Sequence, residues 1–292
     1  MILFMKALLF CYTTLRKFLD DEMTIFAASA AFWIMISAVP FLMVILTAIQ
    51  LFPGFDKSSI QQLLIQAAPD LPQLTKLIYT VTDDVFVKAP SAILSLTAIL
   101  TLWSASTGVY GIGIGIRKIY GTRKASGYVM QRLSAMLFTL LFVAVLLLTL
   151  VLLVLGSSIQ LLADRYLPLV SALISFILGF KALISGAVLY LFFLLLYHLL
   201  PGRTPHVRRQ YPGALFATVG WLLFSYLFSI YFTYFKNISY MYGSLGALIL
   251  LMFWLYAIIC IIFLGAELNH LFALIEAIRQ GRAHPAPPDE LP

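Results

Sequence analysis

Glu267 has the most chemistry to offer in this sequence, because it is a carboxylate set in an apolar run. It stands in Leu264-Gly265-Ala266-Glu267-Leu268 and is followed by Asn269 and His270. A carboxylate in hydrocarbon is costly unless something offsets its charge. Inside a bundle it could carry a proton or orient a cation. At the aqueous interface it would be solvated or paired with a loop arginine.

A second group lies earlier. Thr97, Thr101, Ser104, Gly108, Gly111 and Gly115 recur at steps of four, three, four, three and four, which places all six on one helix face. Small residues let helix backbones approach, and hydroxyls bond across helices, so the stripe reads as a packing seam. It reads equally as the wall of a polar path, with Thr97, Thr101 and Ser104 lining it and Glu267 near its inner mouth. Upstream, Ala27 and Ala31 form another small pair, and Pro40 removes a backbone donor and predicts a kink. Gly243 and Gly246 add small residues before Glu267.

Enzyme chemistry is not expected. The four histidines and two cysteines are scattered at no metal-ligand spacing. Gly111, Gly113 and Gly115 follow no strand and make no dinucleotide fingerprint. No nucleophile stands beside a base. Neither a metal nor a cofactor is expected, and nucleic acid is not an expected partner.

The elements that must hold these residues are membrane helices. Of 292 residues 62% are hydrophobic and 11% charged. Soluble domains carry about 25% charged residues. A bilayer solvates such a chain, provided its backbone closes its own hydrogen bonds. Six stretches reach the roughly 20 residues a span needs: about 23–52, 91–114, 134–162, 176–200, 211–235 and 244–268. The expected fold is all-α, a polytopic bundle forming one membrane domain over 1–280. Residues 1–22 form an interfacial helix. Between spans one and two, residues 53–90 carry Ile60, Leu63, Leu64 and Ala67, then Leu71, Leu74, Ile78 and Val81, at helical spacing, which predicts a short helical cap outside the cell. The proline-rich tail 281–292 is expected to be disordered.

Basic residues set the orientation. Thirteen fall on the side holding both termini and six on the other, which places the termini in the cytoplasm. Arg117, Lys118, Arg123, Lys124 and Arg132 lie between spans two and three, a basic loop suited to anionic lipid headgroups. The positive-inside rule produces the same loop with no ligand.

Asp21-Glu22-Met23-Thr24, Ala27 to Ala31 and Ile36-Ser37-Ala38-Val39-Pro40 resemble the opening of the YihY/BrkB family of bacterial inner-membrane proteins. Tyr211-Pro212-Gly213-Ala214 leading to Gly220-Trp221 is similar to that family's fifth span. Tyr242-Gly243-Ser244-Leu245-Gly246, Trp254-Leu255-Tyr256 and Leu264 to Leu268 resemble its C-terminal run. The resemblance implies six spans with both termini inside. Members once carried the label ribonuclease BN, regarded as a misassignment; others are linked to virulence or suspected of exporting lipid-linked envelope material. The expected function is transport or lipid handling in the bacterial cytoplasmic membrane, with membrane lipids and an unknown solute or lipid substrate as partners. The alternative is a non-transporting scaffold or envelope assembly factor. The small-residue faces also allow a homo-oligomer.

Overall fold

The computed structural model describes residues 2–50, 91–122, 127–154, 179–202, 206–234 and 238–279, with positions 58, 61, 62, 65, 75, 79, 80 and 83. Among them there are seven α-helices: α1 (Ile2–Asp20), α2 (Met23–Gln50), α3 (Ser91–Ile119), α4 (Tyr128–Val154), α5 (Lys181–Leu199), α6 (Tyr211–Tyr234) and α7 (Ile238–Arg279). A single 3-10 turn, Val207–Arg209, precedes α6.

Each boundary has a local cause. The charged run Asp20-Asp21-Glu22 ends α1, and Glu22 takes a left-handed φ of 56° that turns the chain into α2. The two helices meet at a 65° bend. α3 stops at Gly121, whose φ of 64° allows Thr122 N–H to reach back to the Arg117 carbonyl at 2.9 Å. α5 stops at Leu200-Pro201-Gly202, with Gly202 at φ 78°. Pro212 sits in the first turn of α6, where its missing donor costs nothing.

Helices α2 to α7 form a closed ring, each packed on the next, with α7 returning to α2. α3 also touches α7 across the ring, and α1 lies against α7 and α2. The centre is filled by Phe193, Tyr197 and Phe263, with Ile116, Ile258 and Ile259 beside them. Large apolar side chains such as Leu137, Leu183, Leu223 and Tyr226 face outward. In water they would be a liability; in a bilayer they meet lipid.

Among the described residues Tyr128–Val145, Tyr211–Tyr231 and Leu248–Ala277 are long and apolar enough to cross a membrane, and the bent pair Tyr12–Asp20 with Met23–Ala38 adds a fourth candidate. Leu183–Leu199 is apolar but shorter. α7 is longer than the expected 244–268 at both ends. α2 runs through Pro40 as one helix; the Pro40 side chain lies outside the described residues. So do residues 281–292 and most of the expected cap. Within 53–90, Gln61 Nε2 donates to Asp83 Oδ1 at 3.1 Å, joining its two halves.

Candidate functional site

Five helix ends converge at the pole where α1 turns into α2. α3 and α5 finish there, α6 begins there, and α7 passes through. Glu267 sits among them with 0% exposure. Lys17 of α1 places Nζ 3.5 Å from Glu267 Oε2. Lys17 and Asp21 both face the Glu267 carboxylate, one a cation and the other an anion. The Lys17 side chain is 32% exposed, so the pair has water on one side and closed protein on the other.

Polar neighbours line the closed side. Asn269 is fully buried; its Oδ1 accepts from Gly213 N–H at 2.7 Å, and its side chain also faces the Tyr120 phenol. Tyr120, one residue past α3, donates to Gln210 Oε1 at 2.6 Å and stands edge-on to His270 at 6.0 Å. Burial pushes the Tyr120 phenol well up; the Asn269 side chain opposes this, and the Glu267 charge adds to it. Tyr197 donates to the Ile262 carbonyl at 2.7 Å.

The convergence depends on two glycines. A Cβ on Gly213 would strike the Gly265 carbonyl oxygen and lie 2.5 Å from Asn269 Cγ; one on Gly265 would lie 2.5 Å from the Tyr197 hydroxyl. α6 and α7 therefore cross backbone to backbone about half a turn from Glu267. The α1–α2 corner is fastened separately. Lys118 donates to the Asp21 carbonyl, lies 3.9 Å from Glu22 Oε2, and stands over the Phe26 ring at 5.3 Å.

The α3 stripe does not join this site. A Cβ on Gly108 would strike Ile34, and one on Gly115 would lie 2.5 Å from Phe263. One on Gly111 would rest 3.5 Å from the Ala30 Cβ. Those three positions are a packing seam against α2 and α7. Ser104 is half-buried. Gly115 and Phe263 are level and both helices run the same way, so Ser104 and Glu267 stand about 22 Å apart along the axis. The Thr97 and Thr101 side chains lie outside the described residues, as do Arg123 and Lys124. Gly243 falls within the first turns of α7, and Gly246 is buried.

Two arginines are placed differently from the reading that puts them in a loop. Arg117 is buried and donates to the Leu200 carbonyl at 3.2 Å, tying α3 to α5 rather than facing outward. α4 begins at Tyr128, so Arg132 belongs to a helix; it is buried between α3 and α4. Sequence reasoning also missed Lys17, Tyr120 and Gln210, and gave Asn269 no role beyond its place beside Glu267. One signal was available for Lys17: Phe10, Thr14 and Phe18 mark the inward face of α1, and Lys17 falls on it.

The model of the family named virulence factor BrkB matches residues 14–289. The chain belongs to the BrkB family. It is 31% identical over 245 residues to "Putative ribonuclease-like protein YfkH" of Bacillus subtilis, covering 84% of this chain and 88% of that one. It is 26% identical over 284 residues to a UPF0761 membrane protein of Alteromonas mediterranea, covering 94% and 90%. A UPF0761 membrane protein of Cronobacter sakazakii shares 27% over 265 residues, covering 89% and 87%. No solved structure matches the chain. This BrkB protein is thus a multi-pass integral membrane protein. The stretches that carry the family resemblance meet in space: Gly213 touches Gly265, and the Asp21-Glu22 corner lies beside the residues that enclose Glu267.

Proposed function

We propose that this BrkB-family chain moves a solute, a proton or a lipid across the bacterial cytoplasmic membrane, and that it is not an enzyme. The carrying observation is Glu267, a carboxylate with no exposed surface that faces a second carboxylate, Asp21, and whose cation, Lys17, is itself open to water. A buried ion pair is weak evidence for stability, because desolvation offsets most of its attraction. An ionisable group inside a membrane bundle is by default a functional site, and ion or substrate pathways are among its commonest roles. Lys17 enters from α1, so release of Lys17 would leave Glu267 free for another cation. In this reading the ring is six spans of a single membrane domain. The pole with Arg16, Lys17, Lys118, Arg208 and Arg209 faces the cytoplasm, and both termini lie there.

The test is flux in proteoliposomes. With a potassium-diffusion potential imposed, an internal pH dye reports proton entry, and a headgroup-labelled phosphatidylglycerol reports lipid movement. Wild type is expected to pass one of the two. Glu267→Gln is expected to lower that flux at least tenfold while eluting as wild type on size exclusion. Equal flux in both proteins would remove Glu267 from the function. No flux of either probe in wild type would sink the transport reading.

One observation favours a second reading, a non-transporting scaffold. The α3 face is closed against α2 and α7 from Gly108 to Gly115, so a path cannot use that stretch in this state. Ser104→Leu separates the two: a scaffold tolerates it, and a path opening on the upper stripe does not.

A further inference from the structure

Arg132 and Arg117 are buried cations with no acidic partner among the described residues. Arg132 Nη2 donates to the Trp103 carbonyl at 2.9 Å and to Thr107 Oγ1 at 2.8 Å, and its guanidinium lies over the Trp103 ring at 4.5 Å. These contacts tie α4 to α3 but contain no negative charge. Arg117 is held by the Leu200 carbonyl alone, in the space left by Gly113, where a Cβ would lie 3.1 Å from Nη1 and 3.3 Å from Nη2. Both cations share one aromatic ring: Arg117 Cζ is 5.8 Å and Arg132 Cζ 5.4 Å from the centroid of Tyr110. Each leaves a buried donor unused, Arg117 Nη2 and Arg132 Nε.

Tying helices together accounts for the bonds that are made, not for this remainder. Both cations have lost their water, and the ring they share offers only a weak negative face in its place. Among the described residues no carboxylate pairs with either of them. Guanidinium is the cation whose planar donors suit phosphate and other oxyanions. At the first turn of α4 Tyr128 is exposed and packs edge-on to Tyr110 at 5.9 Å, so the shared ring lies one side chain from the protein surface. That turn is also the positive end of α4.

We propose that Arg117 and Arg132, arranged about Tyr110, form a binding site for a phosphate-class oxyanion, entered beside Tyr128. The site is separate from Glu267 and does not depend on transport. Its anion has two possible sources, the phosphodiester of an anionic lipid and free phosphate, which share the same recognition chemistry.

Native mass spectrometry and thermal unfolding of the full chain in a neutral detergent provide the test. The probes are dioleoyl phosphatidylglycerol, dioleoyl phosphatidylcholine and inorganic phosphate. Wild type is expected to bind phosphatidylglycerol or phosphate at least tenfold more tightly than phosphatidylcholine. Arg132→Gln and Arg117→Gln are each expected to remove most of that preference; Arg132→Lys and Arg117→Lys, which keep the charge, should retain part of it. Arg208→Gln, at the exposed pole, should retain all of it. Binding of phosphate alone identifies a free anion as the ligand, and binding of phosphatidylglycerol alone identifies a lipid headgroup; either supports the site. If the glutamine variants do not fold, a photoreactive benzoylphenylalanine at Tyr128 decides. Crosslinking to phosphatidylglycerol in excess of phosphatidylcholine, or its suppression by phosphate, supports the site. No anion preference in wild type, a preference that survives both glutamine variants, or equal crosslinking to both lipids unaffected by phosphate would overturn it.

Discussion

At the scale of single residues the bundle is most sensitive where backbones touch. Gly213→Ala drives a methyl group into the Gly265 carbonyl, which belongs to a helix and cannot step aside. A loss of about 3 kcal/mol is expected, seen as failure to elute as a single folded species. Gly111→Ala is the matched control, since its Cβ meets Ala30 at ordinary contact distance and a change under about 0.5 kcal/mol is expected. At the corner before α2, Glu22 holds a φ that disfavours any side chain. Glu22→Gly should raise the melting temperature, with a gain of about 1 kcal/mol. The Lys118 bond to the Asp21 carbonyl does not involve the Glu22 side chain and should survive. Glu267 was legible as a candidate because a carboxylate in an apolar run is rare. Its environment was not: Lys17 lies 250 positions earlier, and helix periodicity within one element cannot pair it with a residue on another.

At the scale of elements, α1 behaves as a clasp. It reaches α7 through Phe10 against Phe272, ring centroids 4.9 Å apart, and through Lys17 at Glu267. Lys17→Met leaves a buried carboxylate without its cation and should cost about 1–2 kcal/mol, less than for a fully enclosed pair because Lys17 is open to water. Adding Glu267→Gln removes the orphaned charge. The double variant should recover most of the loss, and thermal melts of the four proteins would measure the coupling. If the double variant lost the sum of the two single effects, Lys17 and Glu267 would not act as a pair. The helices were legible because apolar runs of this length have few alternatives in a bilayer; α6 follows the expected stretch almost to the residue. The ends were less legible. α4 begins six residues before the expected 134, at Tyr128, because Arg132 can be buried once Trp103 and Thr107 receive it. Hydropathy scores an arginine as an end and cannot see its partner.

For the whole molecule, the proposed orientation makes a direct prediction. Arg208→Cys lies at the exposed basic pole. In intact cells it should resist a membrane-impermeant maleimide, and in inverted vesicles it should react. Reaction in intact cells would reverse the topology. The ring closure was not legible from sequence. It rests on α7 meeting both α6 and α2, and pairings between distant helices are set by shape at crossings such as Gly213 with Gly265.

α7 is a single helix of 42 residues with no proline, about 63 Å long, roughly twice the thickness of a hydrocarbon core. A rod of that length is long enough to join one surface of a membrane to the other without a joint. A pull on its α1-bound end cannot be absorbed by local bending at a proline. A proline-free rod passes such a pull along as tilt or sliding more readily than a hinged one, so displacement of the clasp is expected to be felt at the far end of α7.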